Sequence, residues 1–209
     1  MAIPTTVIDA TQAVLCLASA SSRRRELLRQ IGVPHVVQPA DLDECALPGE
    51  APASYVERLA RAKAEWVYAD RLRRGATTLP VLGADTTVTL AGLLLGKPTD
   101  EAALIATLAA LSARTHDVFS AVALVMSPDT RSVVSRTRVT FRAISEDEAR
   151  RYWASGEPSD KAGGYAIQGQ GAVFVERIEG SYSGVMGLPL AETAALLVAA
   201  GVGVWHSGA

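Results

Sequence analysis

Residues 14–31 read VLCLASASSRRRELLRQI, and this stretch decides the fold class. Residues 14–18 form a short apolar run suited to a buried strand. A small polar turn follows at residues 19–22, and then Leu27, Leu28 and Ile31 recur on one side at helical spacing. Gly32 and Pro34 stop that helix, since glycine accepts the left-handed cap and proline cannot continue the turn. A buried strand feeding into a helix is the signature of α/β architecture.

The same alternation continues outward. A second helix is expected from Ser54, where Ser54 and Glu57 have capping-box spacing, to about Arg74, with Gly75 breaking it. Residues 81–90, Ala91-Gly92 and residues 93–95 read as a β-hairpin. Thr99 or Asp100 is expected to cap a helix carrying Leu104, Leu108 and Leu111 on one face. Strands are expected at 117–126 and 132–143, turning at Pro128-Asp129. Ser145 and Glu148 form another capping box, opening a helix that ends near Gly156. A glycine-rich loop at 160–171 leads to a strand at 172–178. The last helix, residues 190–200, is apolar on most sides and is expected to pack into the body. No composition shift marks a boundary, so residues 1–13 read as a short tail and residues 14–209 as one mixed α/β domain.

Composition bounds the function. Of 209 residues, 49% are hydrophobic and 20% charged, an ordinary balance for a soluble domain. No apolar run approaches the roughly 20 residues that span a bilayer, and residues 1–13 lack the basic and apolar regions of a secretory signal. A cytoplasmic protein with no membrane partner is expected. The net charge of −2 gives no global field for nucleic acid, so any polyanion must be held by a local cluster. Cys16 and Cys45 suggest small, fairly buried side chains rather than a disulfide framework. His35, His116 and His206 lack metal-ligand spacing.

Four places break their own local pattern. Arg23, Arg24 and Arg25 sit at a helix N-terminus, an end that favours negative charge. With Ser19, Ser21, Ser22 and free N–H groups, two or three of these guanidinium groups would make a phosphate cradle; solvated arginines, one paired with Glu26, fit the same pattern. Lys63 falls near the middle of the stripe formed by Val56, Leu59, Ala60, Trp66 and Val67, either snorkelling past the core or reaching into a cleft. Asp85 lies within an apolar strand, where a carboxylate is costly unless paired, hydrogen-bonded or bound to metal. Asp41, Asp43 and Glu44 could complete an oxygen-ligand site for magnesium or manganese with it. In the loop at 160–169, Gln168 carries both a donor and an acceptor and can match the edge of a base, although glycine-rich segments are often only surface turns. Gly96-Lys97-Pro98 lacks the spacing of a P-loop, and Gly169-Gln170-Gly171 lacks the third glycine of a dinucleotide fingerprint.

Together these segments resemble the Maf family of nucleoside triphosphate pyrophosphatases, also called septum formation proteins. The carriers run from Leu15 to about Gly201. They are Leu17-Ala18-Ser19 through Arg23-Arg24 and Glu26-Leu27-Leu28, Asp43-Glu44, Arg58-Leu59-Ala60 with Lys63, Gly83-Ala84-Asp85-Thr86, and Gly96-Lys97-Pro98. Leu111-Ser112 with His116, Asp160-Lys161-Ala162-Gly163, Ile167-Gln168-Gly169 and Gly187-Leu188-Pro189 complete the set. Ala20 and Ser22 stand where family members usually carry glycine and proline.

The resemblance implies a strongly twisted mixed sheet flanked by helices, with two lobes around a central cleft, as in the inosine triphosphatase-like fold. It implies hydrolysis of a nucleoside triphosphate to monophosphate and pyrophosphate with a divalent cation (Mg²⁺, Mn²⁺ or Co²⁺), a nucleotide-pool cleaning role linked to cell division, and a homodimer. Asp85 is then the proton acceptor and a metal contact, and Glu44 a second metal ligand. Ser21, Arg23, Arg24, Lys63 and Lys97 hold the phosphates. The Ala-Asp-Thr and Asp-Lys-Ala-Gly…Ile-Gln-Gly signatures resemble the dTTP/UTP branch, in which Arg23, Thr86 and Gln168 hold the positions linked to base choice. The alternatives are a 7-methyl-GTP pyrophosphatase and a non-catalytic nucleotide-binding regulator of septum formation.

Overall fold

The computed structural model describes residues 13–76, 79–127 and 129–205. Residues 1–12 of the expected tail, Pro128 of the expected turn and His206 lie outside them. Ala13, read as tail, is buried and belongs to the core.

Thirteen strands and α-helices follow one another among the described residues: β1 (Leu15–Leu17), α1 (Ser22–Gln30), β2 (His35–Val37), α2 (Pro52–Arg73), β3 (Val81–Leu90), β4 (Leu93–Leu95), α3 (Glu101–Leu111), β5 (Thr115–Met126), β6 (Asp129–Phe141), α4 (Glu146–Ala154), β7 (Val175–Glu179), α5 (Tyr182–Met186) and α6 (Leu190–Ala199). One twisted, mixed sheet runs β2-β1-β3-β5-β6-β7, with β4 also on β3. β2, β1 and β3 are parallel and the other pairs antiparallel. The mixed α/β expectation is met.

The period of two along the strands sorts the core. Cys16, Val81, Ala121 and Ala123 face α2 and pack on Val56, Ala60, Ala64 and Val67. α2 lies close because glycine faces it: a Cβ on Gly83 would come within 2.8 Å of the Ala64 nitrogen and nearer still to the Ala60 carbonyl oxygen. On the other face, Leu15, Leu17, Leu82, Val122 and Leu124 pack against Leu27, Leu28 and Leu197. Farther along that face, Val88 and Val118 join Leu104, Leu108, Phe141 and Tyr152. Thr86 and its cross-strand partner Ser120 lie between these two apolar clusters.

Several boundaries differ from the sequence expectation. α2 begins at Pro52 with Ala51 as its uncapped N-cap, so Ser54 lies inside the helix. Proline in the first turn, whose missing N–H costs nothing there, is the start signal. Asp100, not Thr99, caps α3, accepting from the Ala103 N–H, and the Ser145/Glu148 capping box opens α4 as expected. β7 begins three residues late because residues 170–174 coil into a 3₁₀ turn. α6 buries only Thr193 and Leu197, and Val198 is 58% exposed. The helix packs into the body through Leu190, Leu196 and Leu197 as expected, while its outward alanines serve helix propensity rather than burial. Cys16 is buried, but Cys45 is exposed, contrary to the expectation. Among the described residues no helix is long and apolar enough to cross a membrane.

Candidate active site

β1 and β4 share one edge of β3 but not the same part of it. β1 pairs with β3 only at Val81 and Leu82, and the Ala18 N–H closes that contact on the Leu82 carbonyl. β4 joins at Val88. The fork between them exposes the middle of β3, where Asp85 and Thr86 lie. A cleft of about 490 Å³ opens at this fork.

Successive residues of β3 point to opposite faces, so Asp85 and Thr86 serve different walls. Asp85 lies on the α2 side. Lys63, only 7% exposed, donates to Asp85 Oδ1 at 2.7 Å and pairs with Glu44 Oε1 at 2.7 Å. The lysine that breaks the apolar stripe of α2 therefore reaches into the cleft and sits between two carboxylates. Burial pushes the Asp85 carboxyl above its ordinary value; Lys63 and Arg24 oppose that shift and Glu44 adds to it. A carboxylate so poised holds a proton more readily than a surface aspartate.

Thr86 lies on the other wall. Its hydroxyl shares a 2.9 Å hydrogen bond with Ser120 Oγ, and Ser120 donates to the Gly184 carbonyl at 2.6 Å. Arg24 crosses from α1: Nε donates to the Gly187 carbonyl at 2.9 Å and Nη1 to Ser19 Oγ at 3.1 Å. These bonds fix the guanidinium in the cleft wall. Ser21 is the N-cap of α1 but makes no side-chain cap, and no acidic residue occupies the first turn. Ser21, Ser22, Arg23 and Arg24 of this helix end line the cleft, and its first N–H groups lack a side-chain acceptor from the cap, which suits an anion. Ala20 avoids positive φ, so alanine costs no backbone strain there, and Ser22 opens the helix.

Arg23, Lys97, Lys161 and Gln168 complete the cleft, with Arg23 paired to Asp160 at 3.5 Å. Five cationic side chains (Arg23, Arg24, Lys63, Lys97 and Lys161) face three carboxylates (Glu44, Asp85 and Asp160) there. This local excess opposes the overall charge of −2. Of the residues named from the sequence for phosphate, base or metal contact, Ser21, Arg23, Arg24, Glu44, Lys63, Asp85, Thr86, Lys97 and Gln168 line this one cleft.

The family model described as Maf-like protein matches residues 14–200. The chain belongs to the Maf family. A dTTP/UTP pyrophosphatase of Nitrosomonas europaea is 50% identical over 197 residues, covering 90% of this chain and 95% of the relative. One from Bordetella parapertussis is 52% identical over 208 residues, covering 94% and 99%. One from Hahella chejuensis is 49% identical, covering 91% and 94%.

Other expectations for this Maf chain were not met. Asp41 and Asp43 do not line the cleft; Asp43 instead accepts from the Cys45 N–H at 2.9 Å. Arg25, whose role the sequence left open, is also outside it. Among the described residues no three His, Cys, Asp or Glu side chains gather as a metal cage. Asp85 and Glu44, both within 2.7 Å of one ammonium, still fit a hard cation. Such ions take one or two carboxylates and complete their shell with water and substrate phosphate.

Lys161 and Ser120 were not assigned roles from the sequence. Ser120 had a signal: a hydroxyl within the apolar run Val118–Val122. Lys161 had a weaker one, a lysine beside the glycines of the 160–171 loop.

Proposed function

We propose that this chain hydrolyses dTTP and UTP to the nucleoside monophosphate and pyrophosphate in the cytoplasm, as part of nucleotide-pool cleaning, with Asp85 as proton acceptor. The observation that carries the reading is the buried Asp85 carboxyl facing a cationic cleft. Relatives about 50% identical over nearly their whole length bear the name dTTP/UTP pyrophosphatase.

Water attacks the α-phosphorus. The new bond joins the water oxygen to that phosphorus, and the bond to the oxygen bridging the α- and β-phosphorus atoms breaks. Its electrons leave with pyrophosphate, and the attacking water gives a proton to Asp85. A triphosphate carries about four negative charges near neutral pH, which must be offset before a nucleophile can approach. Arg23, Arg24, Lys63 and Lys97 supply opposing charge, with Ser21 and the α1 N–H groups as further donors. Asp85 and Glu44 would hold a divalent cation (Mg²⁺, Mn²⁺ or Co²⁺), which polarises phosphate oxygens and acidifies water when bound. Gln168 reads the base edge, and Thr86 and Arg23 bound the base and its phosphate approach. A second copy of the chain would form the homodimer.

The test is pyrophosphate release from dTTP, UTP, CTP, dATP, GTP and 7-methyl-GTP, each with Mg²⁺, Mn²⁺ or Co²⁺. The highest kcat/KM should fall on dTTP and UTP. Faster turnover of 7-methyl-GTP would overturn the substrate assignment, and undiminished turnover in excess chelator would overturn the cation.

A further inference from the structure

Gln168 stands exposed at the cleft on a segment with few bonds of its own. The Gly169 N–H reaches the Ala166 carbonyl at 3.2 Å and the Ala172 N–H reaches the Gly169 carbonyl at 3.2 Å. Stronger anchors come from outside the loop, and they converge on Glu157.

Glu157 opens the 3₁₀ turn Glu157–Asp160, after Gly156 in the left-handed region. Its Oε1 accepts from the Tyr152 hydroxyl at 2.7 Å and from the Gly171 N–H at 3.0 Å. Its Oε2 accepts from the Gln170 N–H at 2.9 Å. The Tyr152 hydroxyl in turn accepts from the Ala166 N–H at 3.1 Å. One carboxylate thus grips the chain just after Gln168 directly, and just before it through Tyr152. Gly169 makes this closure possible, because a Cβ there would collide with the Glu157 carboxylate. The Glu157 carbonyl also accepts from Lys161 Nζ at 2.8 Å, tying the same residue to a cation of the cleft.

Three donors pointing at one carboxylate demand an acceptor-only group. A glutamine in its place offers one accepting oxygen, and its NH₂ must face at least one of the N–H groups. Bonds to a charged acceptor are also the stronger kind.

We infer that Glu157 is a positioning residue for base selection, holding the turn that presents Gln168 to the base; this rests on Gln168 reading the base. Glu157 touches neither phosphate nor metal in this assignment. It sets where an amide sits, and a shift of about 1 Å in such a contact is enough to cost selectivity.

The experiment compares kcat/KM for dTTP and dATP, and the Ki of inorganic tripolyphosphate, in Glu157→Gln, Tyr152→Phe, Gln168→Ala and Glu157→Gln/Gln168→Ala. Tripolyphosphate samples the cationic end alone. The dTTP/dATP ratio should fall about tenfold in Glu157→Gln and about threefold in Tyr152→Phe, with Ki unchanged. In the Gln168→Ala background, Glu157→Gln should add no further loss of ratio. Should Glu157→Gln fail to fold, Tyr152→Phe, which loses one oxygen only, tests the same grip. A ratio unchanged in both variants while Gln168→Ala lowers it would overturn the role of Glu157 alone, as would an equal rise in the Ki of tripolyphosphate. A ratio unchanged in Gln168→Ala would overturn the base-reading assignment itself.

Discussion

Replacing Asp85 by asparagine separates a catalytic carboxylate from a structural ion pair, because the structure sets different magnitudes for the two. Breaking a buried pair by removing one charge ordinarily costs about 3–5 kcal/mol, since the other charge is stranded. Here Lys63 is not stranded: Glu44 remains 2.7 Å from its ammonium, and the asparagine oxygen can still accept the bond now made to Asp85 at 2.7 Å. Burial also already raises the Asp85 carboxyl. With its folded value above its unfolded one, its contribution to stability is present at low pH and lost as pH rises through the folded value. A neutral isostere therefore removes a cost at pH 7 as well as an attraction. The two nearly offset, and the net change should lie within about 1 kcal/mol, or roughly 4 °C in Tm for a chain of this length. Loss of the proton acceptor should instead lower kcat by about 10²–10⁴, or about 3–5 kcal/mol of barrier. The assay pairs calorimetric Tm with steady-state pyrophosphate release from dTTP. Turnover within fivefold of the parent would remove Asp85 from the chemistry, and a Tm loss above about 10 °C would make it a structural residue instead.

Lys97 is exposed at the cleft, so Lys97→Ala should leave Tm unchanged and lower kcat/KM for dTTP by on the order of 10–100-fold; a change in Tm alone would remove it from the phosphate site. Gly83→Ala forces a methyl into the α2 backbone and should cost roughly 3 kcal/mol, or about 6–12 °C in Tm; an unchanged melting curve would mean that α2 can retreat. Burial holds the His116 imidazole down at about 4, against its ordinary 6.5. Its contribution to stability is therefore present above pH 6.5 and lost as pH falls towards 4. Tm should fall over that window, and His116→Gln should flatten the slope; parallel curves would assign the loss to other groups.

Much of the fold was legible from local chemistry. The run from strand to helix at residues 14–31, the Ala91-Gly92 turn and the Ser145/Glu148 capping box are short-range patterns, and each appears where expected. Where a weaker local signal competed, the boundary moved: Pro52 overrode Ser54 as the start of α2.

The candidate residues were legible because they contradict their surroundings. Lys63 in an apolar stripe and Asp85 in an apolar strand are choices that packing alone would not make, and the sequence by itself marked both. The residue pattern could not place the Lys63 ammonium between Asp85 and Glu44, nor separate Glu44 from Asp41 and Asp43, because pairing of distant segments depends on strand order. Only the tertiary structure decided that β1 leaves β3 at Leu82 while β4 waits until Val88, opening the edge where Asp85 sits. Likewise the grip of Glu157 on Gln170 and Gly171 carries no periodic signature. Local propensity is written residue by residue, whereas the meeting of a helix end, a forked sheet edge and a distant loop is fixed by how buried faces pack together.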